Sequence, residues 1–250
     1  MKRSFSVLLA LLGLALFAAA WQLSITLIEP SSVMAGYFSP RKAAEAMVRL
    51  AATGDIWQHT IDSMRRVFVS LSIAIVFGVP IGILLGVSKL FEHTNNLLFQ
   101  FLRMVSPLSW MPIAVIAFGV GDAPVYFLLS FAGMWPIALN AAAGVRAIDP
   151  KWLRLARSMA ASKSEILFRI VMPAILDHLL TGIRLSIGII WIVLVPAEML
   201  GVQAGLGYLI LDCRDRMEYG ELVAVIIYIG ILGAILDYAA RFIRNIWQRR

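Results

Sequence analysis

The sequence predicts an all-α integral membrane protein of about six transmembrane helices, and three observations carry that reading. Hydrophobic residues fill 60% of the 250 positions and charged residues only 15%, against about 45–50% and about 25% in soluble domains. The mean hydropathy of +0.84 leaves too little polar surface to cover a globule of this length, so lipid has to be the solvent. Apolar runs recur at 5–28, 67–87, 97–118, 125–145, 175–200 and 222–242. Each has about the 20 residues a helix needs to cross about 30 Å of hydrocarbon.

The first run follows Lys2 and Arg3 and contains Ala18, Ala19 and Ala20, a pattern shared with cleavable signal peptides. It continues past Trp21 to Ile28, which favours an uncleaved span, so 1–28 is read as the first transmembrane helix and Glu29 as lying outside the cytoplasm. Residues 29–60 form an external loop. Within it, Pro40 to Thr60 has a helical pattern, with Ala43, Ala44, Met47, Val48 and Leu50 set against Arg41, Lys42, Glu45 and Arg49. That stretch is too short and too polar to span and predicts an interfacial amphipathic helix.

Residues 61–250 make up the core. Gly78, Gly82 and Gly86 lie four apart on one face of the second span, which lets another helix approach closely. Pro107, Pro112, Pro136 and Pro196 interrupt or border helical hydrogen bonding; such breaks either open backbone groups to a pathway or only kink the helix. Trp110 and Pro112 are candidates to line that pathway. Arg184 and Glu198 share the fifth run, about 21 Å apart along a helix, so they do not pair within it. Ionisable groups are costly in lipid and must face protein or water. Glu198 is therefore either part of an outer gate or half of a structural salt bridge.

The net charge of +7 would suggest nucleic acid in a soluble protein. In a membrane protein it reports cationic loops retained on one side. With the N-terminus inside, 14 of the 22 lysines and arginines, Arg103 and Arg146 among them, fall on the cytoplasmic side or its edge, and both termini read as cytoplasmic. The single Cys213 excludes an intrachain disulfide and a cysteine metal site. His59, His93 and His178 lack metal-ligand spacing, and there is no phosphate-binding Gly-rich loop with its Lys. The chain is thus expected to hold no cofactor and to hydrolyse no ATP.

The most informative segment is the loop at 149–173. Trp152, Leu155, Ala156 and Met159 share one helical face, while Lys151, Arg154 and Arg157 are free for the other. Ser162-Lys163-Ser164-Glu165 fits a capping box, so a second helix starts at Lys163. It presents Ile166, Leu167, Ile170 and Val171 and is expected to stop before Pro173. A plain connector needs no pair of amphipathic helices, and a DNA reader does not sit between two spans. A docking surface for a cytoplasmic partner fits best.

This loop resembles the "EAA" coupling loop of ABC importer permeases: Glu-Ala-Ala, three residues, Gly, nine residues, Ile, any residue, Leu, Pro. Arg154, Leu155, Ala156, Ala160, Ile170, Met172 and Pro173 occupy those positions. Arg154 replaces the acid and Ala160 the glycine. A left-handed residue at a helix end costs any residue but glycine about 1 kcal/mol or more, so a differently shaped turn is expected.

Further blocks are similar to the nitrate, sulfonate and taurine importer permeases. These are Phe77-Gly78-Val79-Pro80-Ile81-Gly82, Ser106-Pro107-Leu108-Ser109-Trp110-Met111-Pro112, Phe118-Gly119-Val120-Gly121-Asp122, Ala197-Glu198-Met199 and Gly205-Leu206-Gly207-Tyr208.

The resemblance implies a type I ABC importer permease fold in a bacterial inner membrane. Two copies would form the pathway, two separate ABC ATPase subunits using ATP and Mg would grip the loop, and an extracytoplasmic binding protein would deliver substrate. The substrate would be a small anion such as nitrate, or taurine or an alkanesulfonate, with Ile210-Leu211-Asp212-Cys213-Arg214-Asp215-Arg216 closer to the nitrate branch. For an anion a carboxylate is a poor ligand, which leaves Glu198 a gating or structural part. The alternative is a self-contained secondary carrier or channel, which would need no docking loop and often shows internal repeats; a membrane enzyme would need clustered acids or histidines.

Overall fold

All regular structure among residues 3–28 and 38–248, which the computed structural model describes, is helical. Lys2, Glu29, Arg249 and Arg250 lie outside the described residues. Helix α1 is Arg3–Ile28. Helix α2, Pro40–Thr53, starts where Ser39 Oγ accepts the Lys42 N–H and Pro40 takes the first turn, and it ends at Gly54 with φ 89°. The amphipathic stretch expected over 40–60 therefore divides at Gly54. The next helix, α3, begins at Asp55 and runs to Val87, 33 residues. Buried Ala43, Ala46 and Leu50 show why α2 is fixed, since they pack it onto its neighbours.

Helix α4, Lys89–Met104, is capped by Ser88 Oγ, which accepts the Phe91 N–H. It is followed by a 3₁₀ turn at Pro107–Trp110 and by α5, Met111–Phe118. A continuous span over 97–118 is not what forms: α4 and the 107–118 segment meet at 92°. Pro107 is the cause. Val105, which caps α4, is already extended at ψ 128°, and Pro107 holds the preceding Ser106 extended at ψ 129°, so the helix does not resume along the same axis; Pro112 then takes the first turn of α5.

Helix α6, Asp122–Arg146, follows. The loop contains α7, Pro150–Ser158, and α8, Lys163–Ile166. A π-helical turn at Leu167–Val171 leads into α9, Met172–Gly201. Helices α10, Leu206–Asp215, and α11, Tyr219–Gln248, complete the chain.

Among the described residues four helices are long and apolar enough to cross a membrane, or five if the bent pair is counted as one span. The described apolar stretch of α1, Ala15–Leu27, is shorter than a span.

Helix α6 is the centre of the bundle, packed between α3 and α9. Towards its N-terminus Val125, Leu128 and Leu129 meet Val67, Ile190, Leu194 and Ala197. Towards its C-terminus Ile137, Ala141 and Val145 meet Ala74, Ile175 and Leu179. The Gly78, Gly82 and Gly86 face is filled within the chain: a Cβ at Gly82 would fall onto the Ala138 carbonyl and the Ala141 side chain, and Gly78 and Gly86 face Ile137 and Val145. A third cluster joins α2, α10 and α11 through Leu50, Leu209, Val225 and Cys213. Burial pushes the Cys213 thiol up to about 11, and it is a packing residue.

Candidate functional site

The first site is the loop that follows the C-terminus of α6. Asp149 Oδ1 accepts the Lys151 N–H and starts α7, with Pro150 in the first turn. The capping box forms as its residues dictate: Ser162 Oγ accepts the Glu165 N–H at 3.3 Å, and Glu165 Oε2 accepts the Ser162 N–H at 2.9 Å.

The turn between the two helices is a Schellman motif. Ala161 N–H donates to the Ala156 carbonyl and Ala160 N–H to that of Arg157, both at 3.0 Å. Ala160 has φ 55°. The expected change of shape does not occur; alanine takes the left-handed conformation that glycine would adopt without strain. Ala160→Gly is therefore expected to stabilise the folded loop by about 0.5–1 kcal/mol, the relief of strain less the added unfolded-chain entropy. Hydrogen exchange of the Ala161 amide, which that turn protects, checks it.

The second loop helix does not stop before Pro173. It passes through the π turn, where Met172 N–H reaches back five residues to the Leu167 carbonyl. That reset puts Pro173 in the first turn of α9, where a proline is tolerated. One helical path thus links the loop to the span.

Trp152, Leu155, Ala156, Met159, Ala160, Glu165 and Ile170 line one groove of about 430 Å³. Trp152, Leu155 and Met159 are 62%, 52% and 75% exposed, and nearby Phe168 is 69% exposed. Ala156 is buried, and Leu153 packs with the core. Arg154, Arg157 and Arg169 are exposed around this apolar patch, a face that is apolar at its middle and cationic at its rim.

The second site is at the opposite end of α6, about 36 Å away along its 25 residues. Glu198 is fully buried there. Arg66 Nη1 donates to Glu198 Oε1 at 2.7 Å and to the Ala204 carbonyl at 2.7 Å. Ser63 Oγ lies 2.8 and 2.9 Å from the two carboxylate oxygens and accepts the Leu206 N–H at 2.9 Å. Gly207 N–H donates to Glu198 Oε2 at 2.8 Å. On the far side of Arg66, its Nε and Nη2 hold Asp122 Oδ1 at 2.9 and 2.8 Å, and Arg65 pairs with Asp122 as well.

Gly205, at φ 108°, lies so close to this pair that a Cβ would strike Arg66 Nη1 and Glu198 Oε1. The cluster ties α3, the start of α6, the end of α9 and the 202–207 turn together. It satisfies the buried carboxylate with a cation and two further donors.

The pathway candidates do not converge. Arg184 Nε donates to Asp237 Oδ1 at 3.0 Å, a pair between α9 and α11. Trp110 packs on Phe131 with ring centroids 5.8 Å apart, its Nε1 buried without a partner, and Pro112 is exposed at the start of α5. Arg103 is not at the loop edge: it stands at the end of α4 beside Trp135, in the middle of α6. Sequence reasoning missed Ser63, Arg66, Asp122 and Asp237. The Arg65-Arg66 pair inside a largely apolar helix was the signal available for the first three, while nothing in the sequence shows which acid meets which arginine.

Comparison with known proteins follows the same lines. Residues 78–250 match the family described as binding-protein-dependent transport system inner membrane component. A bicarbonate transport system permease protein of Synechococcus elongatus is 38% identical over 199 residues, 79% of this chain and 69% of that protein. A nitrate import permease protein of Synechocystis is 34% identical over 184 residues, 74% of this chain and 67% of that protein. Among solved structures, an inward-facing methionine ABC transporter superposes with a TM-score of 0.65 at 16% identity, over 78% of this chain and 97% of that one.

Proposed function

From the premise that the chain belongs to the family of binding-protein-dependent transport system inner membrane components, we propose that two copies of it form the pathway by which an ABC importer takes up a small oxyanion. The chain is a permease subunit of an ABC importer, a multi-pass inner membrane protein with the all-α type I importer fold, and not an enzyme. Its family works with an ATPase and a binding protein. That membership replaces the alternative of a self-contained carrier or channel.

Two ATPase subunits, holding ATP and Mg, would seat on the groove of Trp152, Leu155 and Met159. That uncovered apolar groove, at the aqueous end of a helix that continues into the membrane, is the observation that carries the reading. Exposed Lys151, Arg154, Arg157, Lys163 and Arg169 at this end support a cytoplasmic loop and, with it, cytoplasmic termini.

Nucleotide drives the permease only if the ATPase contacts favour one of its states over the other. The Glu198 cluster, closing the far end of the bundle, acts in this reading as the outer gate. Bicarbonate, nitrate and the sulfonate of taurine all present three oxygens around one centre with a single charge, and we assign that group as substrate.

Ala156 is buried, so the test uses Leu155→Asp, which changes an exposed residue. The complex is solubilised in detergent and pulled down on the permease. Wild type is expected to bring down an ATPase, and the variant to lose at least about 90% of it; a buried charge facing an apolar partner costs more than about 1.4 kcal/mol, a tenfold change. Full recovery with the variant would overturn the seat, and transport by the wild-type chain alone in liposomes would overturn the reading itself.

A further inference from the structure

Two hollows meet midway along α6, where the broken span turns. One, of about 470 Å³, is walled by Val105, Phe131, Pro136 and Ile189. The other, of about 210 Å³, is walled by Asn96, Phe99, Gln100 and Ala138 and has room for about seven water volumes. Arg103, Trp135 and Leu139 belong to both, so they stand as the partition between them.

The chemistry of that partition is one-sided. Trp135 is 6% exposed, and its indole N–H is buried without an acceptor. An unpaired buried donor costs free energy, and one that persists in a fold calls for a ligand or another explanation. Arg103 has no acidic or carbonyl partner among the described residues, unlike Arg66, Arg146 and Arg184, each of which is paired with a carboxylate. It sits at the C-terminal end of α4, held there by the break that Pro107 imposes. Asn96 and Gln100 add amides on the same face, and no carboxylate lines either hollow among the described residues. A cation approaching this place meets only a like charge; an anion meets the exposed Arg103 guanidinium beside a tryptophan whose buried indole N–H has no acceptor.

We propose that Arg103 and the Trp135 indole N–H form the station at which a small, singly charged three-oxygen anion is held between the two hollows as it crosses the membrane. The proposal rests on the oxyanion reading above and adds the residues that meet the ion. The Trp135 ring is fixed for this by Phe131 and Phe99, whose ring centroids each lie 5.6 Å from it. The aromatic walls lower the local dielectric and strengthen both contacts. One guanidinium and one N–H, without a closed cage, bind firmly enough to desolvate an ion and weakly enough to release it.

The permease, purified with its own ATPase and binding protein in proteoliposomes, is given ¹⁴C-bicarbonate, ¹⁵N-nitrate and ³⁵S-taurine, and ATP-dependent uptake is measured. Trp135→Phe keeps the ring and removes the N–H; it is expected to lower uptake of the transported anion about tenfold or more, the ATPase still co-purifying. Arg103→Gln is expected to lower it further, and Arg103→Lys to recover part of the loss because the charge returns. Uptake equal to wild type in both Trp135→Phe and Arg103→Gln would overturn the station while leaving the importer reading intact. A wild-type complex that hydrolyses ATP yet moves none of the three solutes would overturn the oxyanion reading and the station with it.

Discussion

Arg66→Met is expected to destabilise the permease by about 3–5 kcal/mol, the cost of stripping one partner from a buried ion pair. Glu198 is fully buried and Arg66 only 3% exposed, so water does not replace the lost cation. The change also frees the Ala204 carbonyl and loosens the 202–207 turn, which Arg66 fastens to α3. Asp122 suffers less, because Arg65 still reaches it.

The double variant Arg66→Met with Glu198→Leu is expected to regain much of the loss, since replacing both charges by apolar groups of similar bulk leaves no uncompensated ion. Thermal unfolding in detergent micelles reads both changes. A single variant as stable as wild type would show that the pair contributes nothing to the fold.

The second large effect belongs to Gly82. Gly82→Leu is expected to yield no folded permease, and Gly82→Ala to cost about 1–3 kcal/mol, the usual penalty of overpacking. The neighbours that an added Cβ would meet include the backbone of Ala138, which has no rotamer to escape into. Relief therefore requires α3 and α6 to move apart, and theirs is the most extensive helix packing among the described residues. Gly86, where a Cβ would stand 2.5 Å from Val145 Cβ and 3.0 Å from the Ala142 carbonyl, is expected to suffer from alanine nearly as much; Gly78, whose first obstacle is the Met134 carbonyl at 2.8 Å, is the least crowded of the three and is expected to tolerate it best. Membrane yield and retained fluorescence in size-exclusion chromatography distinguish the three positions.

What the sequence disclosed divides along a physical line. Local signals were legible: the Ser162–Glu165 capping box, the face of Trp152, Leu155 and Met159, and the apolar spans other than the one broken at Pro107 all depend on neighbours a few residues away. The loop groove, assembled from such elements, was readable nearly whole. Terms that depend on distant partners were not.

Glu198 alone gave two readings, and only the approach of Ser63 and Arg66, more than 130 positions earlier, makes it half of a buried pair. Arg103 looked like one more cation at a membrane edge until the break before Pro107 placed it against Trp135. Pro173 misled for a related reason: a proline ends an α-helix locally, but one π turn shifts the bonding register and lets the chain continue.

That continuity bears on how force crosses the bilayer. Lys163–Gly201 is one helical run of 39 residues, about 57 Å from end to end, with the loop groove at its start and Glu198 three residues from its finish. A helix under axial load behaves as a strut, so a displacement imposed at the groove arrives at the far mouth rather than dissipating in a linker. The π turn at Leu167–Val171 is where the strut's hydrogen-bond register changes, and converting it to plain α-helix would rotate everything beyond it relative to the groove. With an ATPase seated on the groove as proposed, this run would be a shaft with a built-in adjustment at its driven end.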